Sequence, residues 1–595
     1  MPEPNTNWFF QPRRRRNGAG SDDGNSAPGL IGLPSALLQR HGAKLLDPER
    51  AVAVHGYPPP RPTVYRARTL LVPGDLQTPA AVRALNAILA RVGITLIPSR
   101  PSRDTDRDRT DIDEALARLP RPVALVPAKD LPVPAVVDAW VALQTLRAAA
   151  AAPVDKALAQ ADLDEVDVKR ITLEHLLVGS AIDGSPATHS GGGLVANPND
   201  SSGVTGPSST DSYVFSGGDT RTPVALLLDP PRRGSAADAA RDYGRRPVIA
   251  VLDTGVRAHP WLEVKARPGG GYDIDPNGQG DGFITVDHDI QKAISAEGTY
   301  LAEKGDKPRQ VIRNPWDTPI TADPLVGELD TDTGHCTFIS GIVRQVAPEA
   351  RVLAVRIMHS DGAVYEGDLI CALRHLAKRI ALAEEGHPDK MVDVVSLSLG
   401  YFDETEHDVT FSSGLWKVIK VLLDLGVVVV AAAGNYSTSR KFYPAAFAAF
   451  GSESPADQVP LISVGALNPN GSKAVFSDGG HWITAWASGA VVVSTYPVDI
   501  NASRTPELRM RAHPANPMPR GAAARGERES LDPDDYSGGF ALWSGTSFSA
   551  PLLAARFIRA LLEGAAGSGL KLTPCGQLAT ANRAQAALKA MDWPG

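Results

Sequence analysis

The chain has 595 residues, of which 43% are hydrophobic and 21% are charged, and its formal net charge is −7. Such a chain buries a core over most of its length, and its acidity excludes the overall basic field of a nucleic-acid-binding protein. Its three cysteines form no disulfide framework, and no stretch of about 18 uncharged apolar residues predicts a membrane span. We therefore expect no nucleic-acid partner and no membrane association.

Composition divides the first 178 residues into two regions. Residues 1–60 are rich in Arg, Gly, Pro and Ser, and they are predicted to be a flexible leader with one short helix near 35–41. Residues 61–178 are predicted to form a small α+β domain, because strand-like and helical periods alternate there. The predicted strands are 64–72, 93–97 and 122–126, and the predicted helices are 79–92, 134–149 and 155–178, the last with a short apolar end.

The rest of the chain consists of a linker and a larger domain. Residues 179–222 are rich in Gly, Ser, Asn and Asp, which predicts a linker. From 223 to 595, apolar strands alternate with helices, which predicts an α/β domain with a parallel sheet covered by helices on both faces. The predicted strands are 248–252, 351–357, 392–397, 427–432, 461–464 and 491–494, and the predicted helices are 334–343, 367–385, 412–425 and 546–562.

Three polar side chains stand where a predicted strand ends or a predicted helix begins. Asp253 ends the strand at 248–252, His335 lies at the start of a helix, and Ser547 follows Gly545-Thr546 at the start of another. Each alone is more typical of a helix cap, a turn or a structural histidine. Together, at the carboxyl ends of parallel strands, Asp, His and Ser supply the parts of a nucleophilic catalytic triad.

These segments resemble the subtilisin-like serine proteases, the subtilases. The resemblance covers residues 245–565, and the motifs that carry it are Asp253-Thr-Gly, Gly334-His335-x-Thr337, Ser396-Leu-Ser398-Leu399-Gly400, Ala431-Ala-Ala-Gly434-Asn435, Tyr443-Pro444-Ala445, Ile462-Ser-Val464-Gly465-Ala466 and Gly545-Thr546-Ser547-x-x-Ala550-Pro551. A sedolisin-type relative shares the serine motif but uses a Glu/Asp pair as its base, and His335 in its Gly-His context argues against that group.

The resemblance implies a serine endopeptidase that hydrolyses a polypeptide substrate through an acyl-enzyme on Ser547. It makes His335 the base, Asp253 its orienting carboxylate and Asn435 the oxyanion-hole residue. It also implies an extended substrate paired with Ser398, Leu399 and Gly400, beside a pocket with Ala433 and Gly434 in its wall. Two alternatives remain: a peptide ligase or macrocyclase with the same triad, and a catalytically silent binding module with the subtilase fold.

Two local features depart from the family pattern or lie outside it. Cys336 occupies the position after the histidine, where the family usually has glycine, and it is interpreted as either a packed apolar residue or a modifiable thiol. The acidic run from Asp273 to Asp281 begins like a calcium loop, but Ile284 stands where the closing glutamate belongs. We expect no required cofactor and no catalytic metal, with structural calcium as an alternative for this run.

The N-terminal domain is predicted to be either an inhibitory prodomain, as subtilases commonly carry, or a site for a regulatory protein partner. The sequence has no recognisable export signal, so we expect a cytoplasmic enzyme. An unrestrained endopeptidase would attack its own cell, so we also expect the enzyme to be latent until activated.

Overall fold

The fold was obtained as a computed structural model. It describes residues 33–54, 59–100, 111–129, 135–151, 155–179, 221–276, 278, 280–319, 321–323, 327–405, 413–453, 458–502, 509–511, 527–529, 532, 534–569, 571–573 and 577–591. The predicted linker at 179–222 lies almost wholly outside these residues, as does the first half of the predicted leader. We call the described residues from 33 to 179 the N-terminal part and those from 221 to 591 the C-terminal part.

The helices are α1 (Ser35–Arg40), α2 (Pro79–Leu89), α3 (Asp111–Ala117), α4 (Ala139–Ala151), α5 (Lys156–Gln160), α6 (Glu165–Lys169), α7 (Ala236–Tyr243), α8 (His288–Glu303), α9 (His335–Val346), α10 (Glu366–Glu384), α11 (Gly414–Asp424), α12 (Thr546–Ser568) and α13 (Gln577–Ala590). The strands of the N-terminal part are β1 (Ala43–Leu46), β2 (Thr63–Pro73), β3 (Ile94–Ile97), β4 (Pro120–Pro127) and β5 (Thr172–Gly179).

The strands of the C-terminal part are β6 (Thr222–Pro223), β7 (Val248–Asp253), β8 (Lys265–Ala266), β9 (Tyr272–Asp273), β10 (Ile284–Val286), β11 (Thr321–Asp323), β12 (Glu328–Leu329), β13 (Arg351–Arg356), β14 (Ala363–Tyr365), β15 (Val394–Leu397), β16 (Leu399–Phe402), β17 (Val428–Ala432), β18 (Phe442–Tyr443), β19 (Leu461–Leu467), β20 (Ala485–Ser488), β21 (Val492–Thr495), β22 (Arg509–Arg511), β23 (Glu527–Glu529) and β24 (Phe540–Trp543).

A seven-stranded parallel sheet forms the centre of the C-terminal part, in the order β10-β13-β7-β15-β17-β19-β20. Every residue of β7 and β17 is buried, because helices cover both faces of a parallel sheet and the strands become continuous apolar runs. Helix α12 packs across β15, β17, β19 and β20. The structure therefore confirms the predicted α/β class, with a smaller α+β N-terminal part.

Three edge elements differ from the prediction. The predicted strand at 491–494 exists as β21, but it pairs antiparallel with β24 in a separate three-stranded sheet rather than joining the parallel sheet. The sheet is instead completed by β10 and β20, which the sequence pattern missed. Both strands are short and partly exposed, so neither shows the continuous apolar run of a buried strand.

The N-terminal part has its own antiparallel sheet, in which β2 pairs with β1, β4 and β5, and β4 pairs with β3. Helices α2 and α4 pack against it and enclose a separate apolar core that includes Leu70, Ile88, Trp140 and Leu143. Helix α1 precedes β1, and β1 extends this sheet, so the described end of the predicted leader is regular structure.

The single helix predicted over 155–178 is instead two short helices, α5 and α6, followed by a strand. Helix α6 begins with a capping box at Asp164 and ends at Lys169, and the chain then continues as strand β5. Periodicity misleads here because Leu176 and Leu177 are both buried, and a short apolar run cannot be assigned by period alone. Beyond its pairing with β2, β5 pairs antiparallel with β14 and β16 of the C-terminal part, so the two parts share one sheet.

Candidate active site

Asp253 and His335 form a buried pair at the carboxyl end of the parallel sheet. Asp253 is the last residue of β7, and His335 is the first residue of α9. The Nδ1 atom of His335 lies 2.8 and 2.9 Å from the two carboxylate oxygens of Asp253, and neither side chain is exposed. Gly334 precedes the helix with a φ of 80°, a left-handed conformation that suits glycine and turns the chain into α9.

The charge of Asp253 controls the protonation of His335. Burial lowers the pKa of the imidazole, but the charge and hydrogen bond of Asp253 outweigh it, so the pKa of His335 lies above its ordinary value. Asp332 and Asp317 act in the same direction at longer range. The Oδ2 atom of Asp317 accepts the backbone N–H of Gly334 at 2.7 Å, which fixes the start of α9, and burial raises the pKa of Asp317 to about 7.

The second ring nitrogen of His335 is the one available for chemistry. Within the described residues, Nε2 of His335 has no hydrogen-bond partner although it is buried. The ring lies between Trp543 and Phe548, with centroid distances of 5.5 and 5.6 Å, so aromatic packing excludes water around it. A histidine held by a carboxylate at one nitrogen and unpartnered at the other is arranged to accept a proton.

Ser547 is the second residue of α12 and is fully buried. Its Oγ donates to the carbonyl oxygen of Ser398 at 3.4 Å, while the Ser398 hydroxyl donates to the carbonyl oxygen of Ser547 at 2.9 Å. The hydrogen bond between Ser547 Oγ and His335 Nε2 is thus not formed in this structure. Such bonds are commonly long in the absence of substrate and close when it binds.

Asn435 is oriented by the residue before the serine. Its Oδ1 accepts the backbone N–H of Thr546 at 3.0 Å and the Thr546 hydroxyl at 2.9 Å, so the amide nitrogen points away from Thr546. The same hydroxyl accepts the N–H of Gly434 at 3.1 Å, which ties the end of β17 to the start of α12. The arrangement presents an N–H donor next to the serine-bearing helix start, as oxyanion stabilisation requires.

The predicted substrate-binding residues belong to two segments that reach the start of α12. Leu399 and Gly400 begin β16, directly after Ser398, and a Cβ on Gly400 would come within 2.3 Å of the Phe442 ring. Ala433 and Gly434 follow β17, both are buried, and Gly434 has a φ of 103°. Ser398 and Gly434 thus contact the first two residues of α12, Ser547 and Thr546.

Strand β5 lies between β16 and β14, and we call this position the groove; the sequence interpretation missed that β5 fills it. Leu399 pairs with Gly179 and Gly400 with Val178, so β5 lies beside β16 where the resemblance placed substrate. On its other side β5 pairs with β14, where Ala363 lies opposite Val178 and Val364 lies opposite Leu177. The available signal was a Leu-Leu-Val-Gly run directly before the Gly/Ser-rich stretch, which fits a strand ending at a turn.

The two departures in the sequence have structural explanations. Cys336 is fully buried, and its N–H donates to the Thr254 hydroxyl at 3.2 Å. Burial raises the pKa of its thiol well above the ordinary value, which favours the packed-residue interpretation. In the calcium-like run, Asp281 bonds Arg246 and Arg351 at 2.8 Å each, so arginines already neutralise this carboxylate.

One cluster in the described residues has the composition of a metal site. His175, Asp403 and Glu404 each offer a ligand atom, all within 4.8 Å of one another. Both ring nitrogens of His175 are already hydrogen-bonded, Nδ1 to Glu366 at 2.7 Å and Nε2 to Glu404 at 2.8 Å. Only the imidazolium form can donate from both nitrogens, so the geometry is that of an ion-pair cluster. None of the described helices combines the length and apolar character needed to cross a bilayer.

Three relatives show the extent of the similarity. Subtilisin-like protease 3 of Pseudogymnoascus destructans is 25% identical over 281 residues, 46% of this chain and 63% of its own. The thermophilic serine proteinase of Bacillus sp. (strain AK1) is 29% identical over 248 residues, 42% of this chain and 45% of its own. Thermitase of Thermoactinomyces vulgaris is 28% identical over 269 residues, 45% of this chain and 71% of its own. The chain thus spans less than two thirds of the first two relatives.

A family model extends the similarity over the whole region that carries the site. The model, described as the Subtilase family, matches residues 244–574, which is more than half of the chain and includes Asp253, His335, Asn435 and Ser547. The described residues within this range contain the parallel sheet and the helices α9 and α12. The chain belongs to the subtilase family.

Proposed function

We propose that this protein is a serine endopeptidase whose N-terminal part keeps it latent by filling the substrate groove. Catalysis is supported chiefly by one observation, the buried His335 that is bound to Asp253 through Nδ1 and unpartnered at Nε2, next to the start of α12. Latency is supported by the pairing of β5 with both walls of the groove.

In the proposed reaction, Ser547 Oγ attacks the scissile carbonyl carbon while its proton passes to His335 Nε2. The resulting oxyanion accepts hydrogen bonds from the Asn435 amide and the Ser547 N–H. The imidazolium then gives its proton to the leaving amine, and the C–N bond breaks to leave an acyl-enzyme. Water, deprotonated by His335, attacks the ester, and Ser547 recovers its proton as the acid product leaves. Asp253 keeps Nδ1 protonated throughout and stabilises the imidazolium.

Strand β5 has the features of a bound polypeptide substrate. It is extended, antiparallel to β14 and β16, and hydrogen-bonded through the Gly179 N–H to the Gly362 carbonyl at 2.9 Å. The Leu177 side chain is fully buried and belongs to the same apolar core as the parallel sheet. A substrate that adds to the same two strands has to displace β5, because each strand edge accepts one neighbour.

Ion pairs between the two parts hold β5 in the groove. Arg66 of β2 pairs with Asp306 at 2.5 Å, and Arg309 lies 3.4 Å from Glu174 of β5, all of them buried. On the other side of the strand, His175 bonds Glu366 and Glu404 (through Nδ1 and Nε2, as described above). Removing one member of such a pair leaves an uncompensated buried charge, so the contacts favour one fixed seating of the strand.

The catalytic proposal is tested with a fluorophosphonate probe on the full chain. We expect covalent labelling of the wild type, slow if β5 blocks the groove, and no labelling of Ser547→Ala. The matched control is Ser549→Ala, since Ser549 lies on the same helix and donates to the Ala487 carbonyl at 3.0 Å. Labelling that survives Ser547→Ala would refute the assignment. No labelling of a chain from whose groove β5 has been expelled, with Ser547 intact, would indicate a silent binding module.

Latency is tested by a charge placed in the groove. Leu177→Asp should expel β5 and raise both the labelling rate and the cleavage of a generic peptide, while Val166→Asp, at a side chain that is 55% exposed, should change neither. Equal rates in the three chains would refute latency by β5. Mass spectrometry of the products distinguishes hydrolysis from ligation, because only ligation joins an added amine to the new carboxyl end.

We extend the proposal to location and partners. A cytoplasmic enzyme is compatible with the free, buried thiols of Cys336 and Cys371, and the charged contacts of β5 offer a regulatory protein a way to release the strand. Cell fractionation followed by probe labelling tests the location directly.

A further inference from the structure

The end of β5 meets a carboxylate. A Cβ atom built on Gly179 would lie 2.6 Å from Oδ1 of Asp332 and 3.1 Å from its Cγ. The first distance is shorter than a real Cβ contact, so any side chain at this position requires something to move. The φ of Gly179 lies outside the left-handed region, so it is space rather than backbone conformation that requires glycine here.

Asp332 has little room to retreat. A Cβ built on Gly362 would lie 2.4 Å from its Oδ2, so the carboxylate sits between two glycines. The Thr331 hydroxyl donates to the same Oδ2 at 2.9 Å, and the Asp332 N–H donates to the Ser360 carbonyl at 2.8 Å. Asp332 is thus fixed by hydrogen bonds of both its side chain and its backbone, and only 6% of its surface is exposed.

The position of Gly179 is part of the substrate groove. Gly179 pairs with Leu399 of β16, and its N–H donates to the Gly362 carbonyl. Asp332, which it approaches, is three residues before His335. We propose that Asp332 is a specificity-determining residue that closes this subsite to side chains, so that the enzyme selects polypeptides with glycine where β5 has Gly179. This rests on the proposed function, because Gly179 stands for a substrate residue only if β5 occupies the substrate position.

Two properties of the subsite favour glycine over its nearest alternatives. The clash begins at Cβ, so alanine is already disfavoured, and a larger side chain has the same Cβ to place. A carboxylate side chain adds like-charge repulsion at short range in a buried setting. The selected class is therefore an extended peptide with an apolar residue at the Leu177 position and glycine at the Gly179 position.

The clash is tested in the full chain with four variants: wild type, Gly179→Ala, Asp332→Ala and the double variant. Hydrogen exchange of the β5 amides is the first readout, because it does not depend on catalysis, and the β17 amides report whether the chain is folded. We expect at least tenfold faster exchange at 176–179 in Gly179→Ala and a return towards the Asp332→Ala value in the double variant. Unchanged exchange in Gly179→Ala, or no recovery in the double variant, would overturn the inference.

Asp332→Asn separates size from charge. The amide has the size of the carboxylate, so Gly179→Ala/Asp332→Asn should exchange as fast as Gly179→Ala if the subsite is closed by volume. Recovery in that variant would show that charge rather than space excludes the side chain, and the steric inference would be wrong.

Substrate choice is the last test. On the Gly179→Ala chain, a fluorogenic peptide containing Leu-Leu-Val-Gly should be cleaved with roughly tenfold or greater kcat/KM than its Leu-Leu-Val-Leu counterpart, and adding Asp332→Ala should reduce that ratio to a few-fold. Cleavage of both peptides at equal rates refutes the specificity while leaving the peptidase intact. If no peptide is cleaved and no probe binds, the proposed function itself fails, and the exchange experiment still decides whether Asp332 closes the site.

Discussion

His335 and His175 are both buried histidines that lie against carboxylates, and they differ in one bond. His335 is bound to Asp253 through Nδ1 and has no partner at Nε2, whereas His175 is bound at both nitrogens, to Glu366 and Glu404. Burial lowers the pKa of each ring and the carboxylates more than reverse it, so both pKa values lie above the ordinary one. A raised pKa therefore does not distinguish the two histidines, and the difference lies in the second ring nitrogen, which is unpartnered in His335 and hydrogen-bonded in His175.

The largest expected effect is the loss of activity when His335 is removed. His335→Ala should lower kcat by on the order of 10⁶, because the groups of a triad act as a unit, and Ser547→Ala/His335→Ala should be hardly worse than either single change. The measurement is peptide hydrolysis on a Leu177→Asp background, in which β5 is expelled. Substantial hydrolysis by the His335 variant would place the base elsewhere.

The opposite effect is expected at His175. His175→Ala leaves Glu366 and Glu404 buried without their cation, which costs about 3–5 kcal/mol in the seating of β5 and in the free energy of unfolding. Probe labelling of Ser547 should therefore accelerate while the melting temperature falls. His481→Ala, at an exposed histidine, is the control and should change neither quantity. Loss of labelling in His175→Ala would give both histidines the same role and end the distinction.

The next effect in size is expected at Asn435, which lies beside the start of the serine-bearing helix. Asn435→Ala should lower kcat by about 10²–10³ with little change in KM, because the oxyanion contact forms mainly in the transition state. The measurement is the kinetics of a fluorogenic peptide on the same Leu177→Asp background. A change confined to KM would mean that Asn435 only orients Thr546, to which its Oδ1 is bonded.

The smallest effect is a pH dependence of the β5 contact. Because the folded-state pKa of His175 is raised, its stabilising contribution is complete below about pH 6.5 and is lost as the pH rises through the higher folded value. Burial raises the pKa of the adjacent Asp403 from 3.8 to about 8, so its contribution to stability also falls as the pH rises between these two values, whereas Glu404, whose pKa is lowered to about 2, stays ionised.

We therefore expect labelling of Ser547 to rise severalfold from neutral to alkaline pH. His335 also loses a proton as the pH rises, so the wild type is compared with His175→Gln, which lacks the His175 component. Parallel pH profiles for the two chains would show that the cluster around His175, including Tyr401 and Arg147, does not govern the strand.

The sequence predicted which residues come together at the site, but it did not predict that β5 occupies the groove beside them. Asp253, His335 and Ser547 stand at strand ends and helix starts, which parallel-sheet geometry brings to one edge, whereas Asn435 was identified through the family resemblance alone. The occupancy of the groove did not, because β5 pairs with β16 across more than 200 residues and no local pattern encodes that contact. The clash at Gly179 likewise depends on Asp332, which is far from it along the chain.

The sheet that the two parts share has a consequence for how inhibition ends. While the chain is intact, β5 is covalently tethered to the part that holds its groove, so its binding there is intramolecular and independent of protein concentration. A cut between the two parts breaks no hydrogen bond of the sheet, and β5 would remain seated between β14 and β16. After the cut, the binding of β5 is bimolecular instead of intramolecular. Dilution, rather than the cleavage itself, would then free the groove.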